Sequence, residues 1–221
     1  MPSYSGVFTL QAQMQAKAAS NWPVFIPAIG SAYEGGFFAG QIGVGGVATH
    51  NLVVGPIASA QSTLQWKNAN TATAGADSVI DGPQNTADIV ADGNSTVYPA
   101  GHFCNDLVIG GFSDWYMPAK NELEICYFNL KPSTTSNDTA SGINANAVPA
   151  RASNYTAGNP AQTTSADFKD TGTEDFVQVI YWSSTETSTT NSWYQVFYGG
   201  DQNGGNKDNS RRVRAVRRVA V

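Results

Sequence analysis

The chain has 221 residues, of which 41% are hydrophobic and 13% charged, and its net charge is −5. That length buries a sizeable core within one domain, while a charged share about half of the ~25% usual in soluble domains leaves Ser, Thr, Asn and Gly to make the polar surface. Such a surface suits display or adhesion; it argues against nucleic-acid binding, which needs a broad positive field. No stretch reaches the ~20 apolar residues of a membrane span. The start, Met1-Pro2-Ser3-Tyr4-Ser5-Gly6, lacks the basic region and apolar run of a secretory leader, so neither export by that route nor membrane insertion is expected.

Residues 9–20 form a short Gln- and Ala-rich helix in prospect, with Thr9 as N-cap and Leu10, Met14 and Ala18 on one face. So thin a stripe needs a neighbour to pack on, and Trp22-Pro23 ends it. From Gly30 the pattern changes to apolar runs at 35–42 and 49–55 around Gly45-Gly46, which reads as a β-hairpin. Residues 67–97 are polar and read as surface loop. Two helices follow. The first starts at Pro99 and repeats Ala100, Phe103, Cys104 and Leu107 before Gly110-Gly111. The second starts near Pro118, sets Glu122 and Glu124 where the helix dipole favours acids, and aligns Ala119, Leu123, Cys126 and Leu130.

Residues 131–172 read as a long Ser-, Thr- and Asn-rich excursion. Strands at 176–184, 192–198 and 211–219 close the chain, with a Gly- and Asn-rich tract at 199–206 between the last two. Strands and helices that do not alternate one by one indicate an α+β fold. Of the twelve Lys and Arg residues, five (Arg211, Arg212, Arg214, Arg217 and Arg218) crowd the C-terminus. Val213, Ala215, Val216 and Val219 interleave with them, which favours a terminal strand with arginines at its margins over a basic tail.

Cys104 and Cys126 could form one bridge, but their core-facing helical positions favour buried thiols. His50 and His102 lie in different elements, and no zinc spacing, phosphate-cradling loop or nucleophile elbow is present. The expectation is no enzyme, no cofactor and no metal.

Three strings, Ser113-Asp114-Trp115-Tyr116-Met117-Pro118-Ala119-Lys120-Asn121-Glu122-Leu123, Tyr181-Trp182-Ser183-Ser184-Thr185-Glu186 and Arg212-Val213-Arg214-Ala215-Val216-Arg217, occur in that order. Together they resemble a bacterial and phage branch of C-type-lectin-like domains, over residues 30–219. The resemblance implies a C-type-lectin-like fold, two helices packed on antiparallel sheets with long loops. Residues 1–29 would be an N-terminal extension and 30–221 the domain. The Glu-Pro-Asn, Gln-Pro-Asp and Trp-Asn-Asp strings of calcium-dependent lectins are absent, so neither calcium nor carbohydrate is presumed. Asp114 is expected to cap or hydrogen-bond the turn into the second helix.

The stretch 185–214 further resembles the variable region of proteins diversified by retroelements, in which adenine-directed mutagenesis rewrites Asn codons. Such codons cannot become Trp, Gln, Lys or Glu, so Glu186, Trp193, Gln195, Gln202 and Lys207 would be framework. Thr187, Thr189, Thr190, Tyr194, Val196, Tyr198, Asp201, Asn203, Gly204, Gly205, Asp208, Ser210 and Arg211 can be reached by such mutagenesis and would form the ligand-binding face. Strand alternation would turn Trp193, Gln195 and Phe197 to the core and Tyr194, Val196 and Tyr198 outward. Tyrosines beside Gly and Asn are the stock of adaptable binding surfaces.

The resemblance thus implies a phage tail or fibre adhesin, displayed on the virion and recognising a host-surface receptor, protein or glycan. Its N-terminal segment would contact other virion proteins, and homo-oligomers, trimers among them, are expected. The alternative is a structural decoration protein of a capsid or tail. An adhesin varies across 187–211; a decoration protein varies no more there than elsewhere.

Overall fold

The hairpin after Gly30 forms around the glycines that the sequence places there. In the computed structural model, which describes residues 26–221, strands β2 (Gly36–Val44) and β3 (Val47–Val54) pair antiparallel. They turn through Gly45 and Gly46 at φ of 59° and 80°, angles that disfavour L side chains. β1 (Ala32–Tyr33) and β5 (Ala147–Val148) add to β2. The expected helix at 9–20 lies outside the described residues.

Two five-stranded sheets make up the domain. The first runs β1-β2-β3-β10, with β5 also on β2; the second runs β4-β9-β6-β7-β8. The second sheet contains β4 (Gln61–Gln65), β6 (Ile180–Glu186), β7 (Asn191–Val196), β8 (Gln202–Asn206) and β9 (Ser210–Arg214). β10 (Val216–Ala220) closes the first. Arg211 to Val219 is therefore two strands in two sheets. Ala215 is the joint: its amide donates to the Ala60 carbonyl at 2.9 Å, and its carbonyl accepts from the Gly55 amide at 2.9 Å. β3–β4 and β9–β10 thus form one two-stranded ribbon that passes from sheet to sheet.

Helices lie beside these sheets: α1 (Gly82–Asp92), α2 (Pro99–Asn105) and α3 (Lys120–Leu130). The last two are the expected pair, though α2 ends before Leu107 and α3 begins after Pro118. α1 falls in the stretch read as loop. Ile89 is its single large buried apolar residue, and Asn85, also buried, bonds Ser78 and Ser184 instead. With so few apolar residues its period was invisible, although Asp81 as N-cap and Pro83 in the first turn marked its start. The architecture is mixed helix and sheet, in agreement with α+β.

The core has two lobes. One holds Tyr127, Phe176, Tyr181 and Phe197, and Phe176 stacks on Phe197 with centroids 4.1 Å apart. The other holds Trp66, Tyr98, Trp115 and Trp182. Cys126 lies in the first lobe and Cys104 in the second, both unbridged, and burial pushes both thiols up.

Buried charge ties the parts together. Glu122 and Glu124, expected to answer the helix dipole, are fully buried hubs. Glu122 accepts from Tyr116 Oη at 2.5 Å, Arg218 Nε at 2.7 Å and the Ala119 amide at 2.8 Å. Glu124 accepts from Tyr155 Oη, Asn144 Nδ2 and Arg151. Asp114, expected at the helix turn, instead takes both prongs of Arg217 at 2.7 and 2.9 Å. The terminal arginines are thus strand residues, as the interleaved valines indicated. The long excursion at 131–172 is anchored by Tyr155 and Phe168 in the core and by the Lys131 ammonium, which donates to Asn137 Oδ1 at 2.7 Å and two carbonyls.

Candidate binding face

The tract from Thr185 to Arg214 folds onto the second sheet, and two of its three chain reversals meet at one end. Thr187, Thr189 and Thr190 are exposed on the turn between β6 and β7, and Asp208 is exposed on the turn between β8 and β9. The Lys207 amide donates to the Thr190 carbonyl at 3.1 Å and its ammonium to the Thr189 carbonyl at 3.0 Å. These contacts hold the two turns side by side.

Beneath them lies a buried ion pair. Lys207 Nζ is 2.9 Å from Glu186 Oε2 and also donates to the Thr71 carbonyl at 2.8 Å. Glu186 accepts from the Thr73 amide at 2.8 Å. Burial lowers the Lys207 pKa, and Glu186 opposes that shift. Two of the residues assigned to the framework therefore close the tract at its base. Gln195, a third, is fully buried and donates to the Gly200 carbonyl at 2.8 Å, which shapes the opposite turn.

In mid-sheet, β7 pairs β8 with Tyr194 opposite Asn203. Tyr194 packs edge-on against the buried Trp182 at 6.3 Å, and the Arg211 guanidinium lies 4.5 Å from the Tyr194 ring and 4.8 Å from Trp182. Burial raises the Tyr194 phenol, with Asp201 adding to the rise and Arg211 opposing it. Tyr198, 49% exposed, stands further along, and Ser210 is exposed on β9. Asp201 is held above the usual carboxylate range by burial and then by the neighbouring Asp138.

Strand alternation misassigned two positions, Val196 and Trp193, and Gly205, placed on the face by codon reach, is not outward either. Val196 is 3% exposed and Gly205 is buried, so neither presents a side chain outward. Gly205 lies beneath Arg211 and Tyr194, where a Cβ would come within 2.7 Å of Arg211 Nη2. Trp193, expected in the core, is half-buried, with the Lys120 ammonium 4.4 Å from its ring centroid. The cause is layering: by Val196 the strand has neighbours on both sides, whereas at Trp193 one side opens beside Lys120 and the excursion. Gln195 and Phe197 do point inward.

Residues 56–217 match the family described as the Lcl C-terminal domain. The chain belongs to that family. The Lcl match takes in the whole second sheet, the three helices and each of the strings that carry the lectin-like resemblance. Among solved structures, a fimbrial protein from Bacteroides ovatus is 15% identical over 75% of this chain, with a TM-score of 0.44. The chain spans 35% of that protein's length. No curated protein matches.

Among the described residues, no group of three His, Cys, Asp or Glu side chains is placed to hold a metal ion, and no helix is long and apolar enough to cross a membrane. His102 Nε2 meets the Gly93 carbonyl at 2.7 Å, and His50 Nδ1 meets Thr49 Oγ1 at 3.0 Å. Sequence reasoning missed Val179, Ile180 and Arg212 as neighbours of the face. Only Arg212 carried a signal, as a charge beside Arg211.

Proposed function

We propose that this protein is a non-enzymatic adhesin with a C-type-lectin-like domain, displayed on a phage tail or fibre, and that residues 185–214 form a variable face for a host-surface receptor. Membership of the Lcl C-terminal domain family supports a surface-binding role. The observation that carries the reading is the Glu186–Lys207 pair, which closes the tract so that exposed Thr187, Thr189, Thr190, Asn203 and Asp208 can change above a fixed base. Variation is tolerated where side chains face solvent and the backbone is held by residues outside the varying set. The return of β10 to the sheet begun by β1 and β2 supports the lectin-like assignment.

The N-terminal extension, residues 1–29, would join the domain to other virion proteins, and a homotrimer is the assembly we favour. The test is adsorption of the purified chain to host cells, with competition against whole particles. Binding that Tyr198→Ala weakens at least tenfold, without lowering the melting temperature, supports the adhesin. Binding to the particle alone, with none to cells, assigns the protein to virion decoration.

A further inference from the structure

A groove of about 460 Å³ opens alongside the candidate face. Tyr198, Ser210 and Arg211 of the tract line it together with Val179, Ile180 and Arg212. It lies where β6 and β9, which share the single register pair Tyr181 with Arg212, diverge. Its size falls within the roughly 300–1,000 Å³ of small-ligand sites.

Charge in this groove is unbalanced in a way found at no other arginine of the chain. Arg151 pairs with Glu124, Arg214 with Glu174, Arg217 with Asp114 and Arg218 with Glu122. Arg211 and Arg212 alone have no carboxylate partner among the described residues, and residues 1–25 contain no Asp or Glu to supply one. Arg211 Nε is moreover buried with no hydrogen-bond acceptor among the described residues. Its guanidinium is already oriented by the Trp182 and Tyr194 rings, so little freedom remains to be lost on binding. The terminal guanidinium nitrogens of Arg211 and Arg212 also donate to no acceptor among the described residues and are not enclosed, so an incoming carboxylate would find free charged donors there.

Beside the arginines the walls are apolar: Val179 is 36% and Tyr198 49% exposed. A hydroxyl-rich sugar would leave hydroxyls against Val179 and Ile180 without partners, whereas an apolar side chain would be at home there. We propose that this groove binds a peptide segment in which an acidic residue adjoins a large apolar one, presented by a protein receptor. The proposal rests on the reading of 185–214 as a receptor-binding face and names the ligand class for it. Because Arg211 belongs to the set assigned as variable, the preference would be this chain's own.

The test titrates the full chain with N-acetyl-Phe-Glu-Phe-amide, its Gln counterpart and N-acetylneuraminic acid, followed by NMR shifts of the Val179, Ile180 and Ser210–Arg212 amides. The Glu peptide is expected to bind at least tenfold more tightly than the Gln peptide, with affinity falling as salt rises. Arg211→Gln and Arg212→Gln should each cost about tenfold. Val179→Asp, which sets a carboxylate into the groove while leaving Trp182 covered, should abolish binding and decides the matter if Arg211→Gln does not fold. Equal binding of both peptides, binding of the acidic sugar alone, or unchanged affinity in Val179→Asp overturns the proposal. Absence of peptide binding, while Tyr198→Ala still weakens adsorption to cells, removes this ligand class and leaves the adhesin standing. Peptide binding with adsorption indifferent to Tyr198→Ala supports the groove and removes the receptor role.

Discussion

Glu186 Oε2 and Lys207 Nζ stand 2.9 Å apart, twenty-one positions from one another, with Lys207 fully buried. Removing one partner of such a pair strands the other charge, at a cost of about 3–5 kcal/mol, whereas replacing both costs far less. Lys207→Met should therefore lower the urea midpoint sharply. Glu186→Gln combined with Lys207→Met should recover most of the loss. Equal destabilisation in single and double variants would show that the pair does not act as a unit.

Along β7 and just beyond it, stability should follow burial and not strict alternation. Phe197, fully buried and stacked on Phe176, should cost about 3–5 kcal/mol as Phe197→Ala. Trp193→Ala, at a half-buried site against Lys120, should cost about 1 kcal/mol, comparable to loss of a cation–π contact and part of a ring's burial. Melting of the two variants side by side checks the order, and the reverse order would contradict the packing described.

Substitution at Gly205 should act through Arg211. A Cβ there meets Arg211 Nη2 at 2.7 Å and the Tyr194 ring at 3.2 Å. Since Nη2 is the far end of a flexible side chain, Gly205→Ala should fold with little loss, within about 1 kcal/mol. The guanidinium should shift off the Tyr194 ring, visible as changed ring-proton shifts of Tyr194. An unmoved Tyr194 spectrum would contradict this coupling.

Asp201 should make stability pH-dependent. Burial and Asp138 raise its pKa, so the folded chain holds this proton more tightly than the unfolded chain does. The stability it contributes is complete below the ordinary carboxylate range, about 4, and is lost as pH rises through the raised value. Asp201→Asn cannot ionise and should melt above the wild-type chain at pH 7, with the difference closing toward pH 3.5. A difference independent of pH would contradict this account.

Legibility in the sequence followed apolar periodicity. α2 and α3 were readable because Ala100 and Cys104, and Leu123, Cys126 and Leu130, repeat at helical spacing on buried faces. α1 was not, because its inner face uses Asn85 and Thr86. β8 was hidden as Gln-Asn-Gly-Gly-Asn, residues of low strand propensity that pair with β7 at the sheet's edge. Glu186 and Lys207 stand out in the sequence only as residues that rewriting of Asn codons cannot produce, and their pairing depends on two turns meeting in space. The unpaired state of Arg211 was hidden for the same reason: which arginines find carboxylates is decided by tertiary packing.

The most direct test of the variable binding face is the sequence of this gene from many lineages of one population. Substitutions should concentrate at the exposed positions Thr187, Thr189, Thr190, Tyr198, Asn203, Asp208 and Ser210 and at half-buried Tyr194, Asp201 and Arg211, while Glu186, Gln195 and Lys207 stay fixed. Substitutions spread evenly along the chain, or Glu186 and Lys207 changing as often as their exposed neighbours, would contradict it.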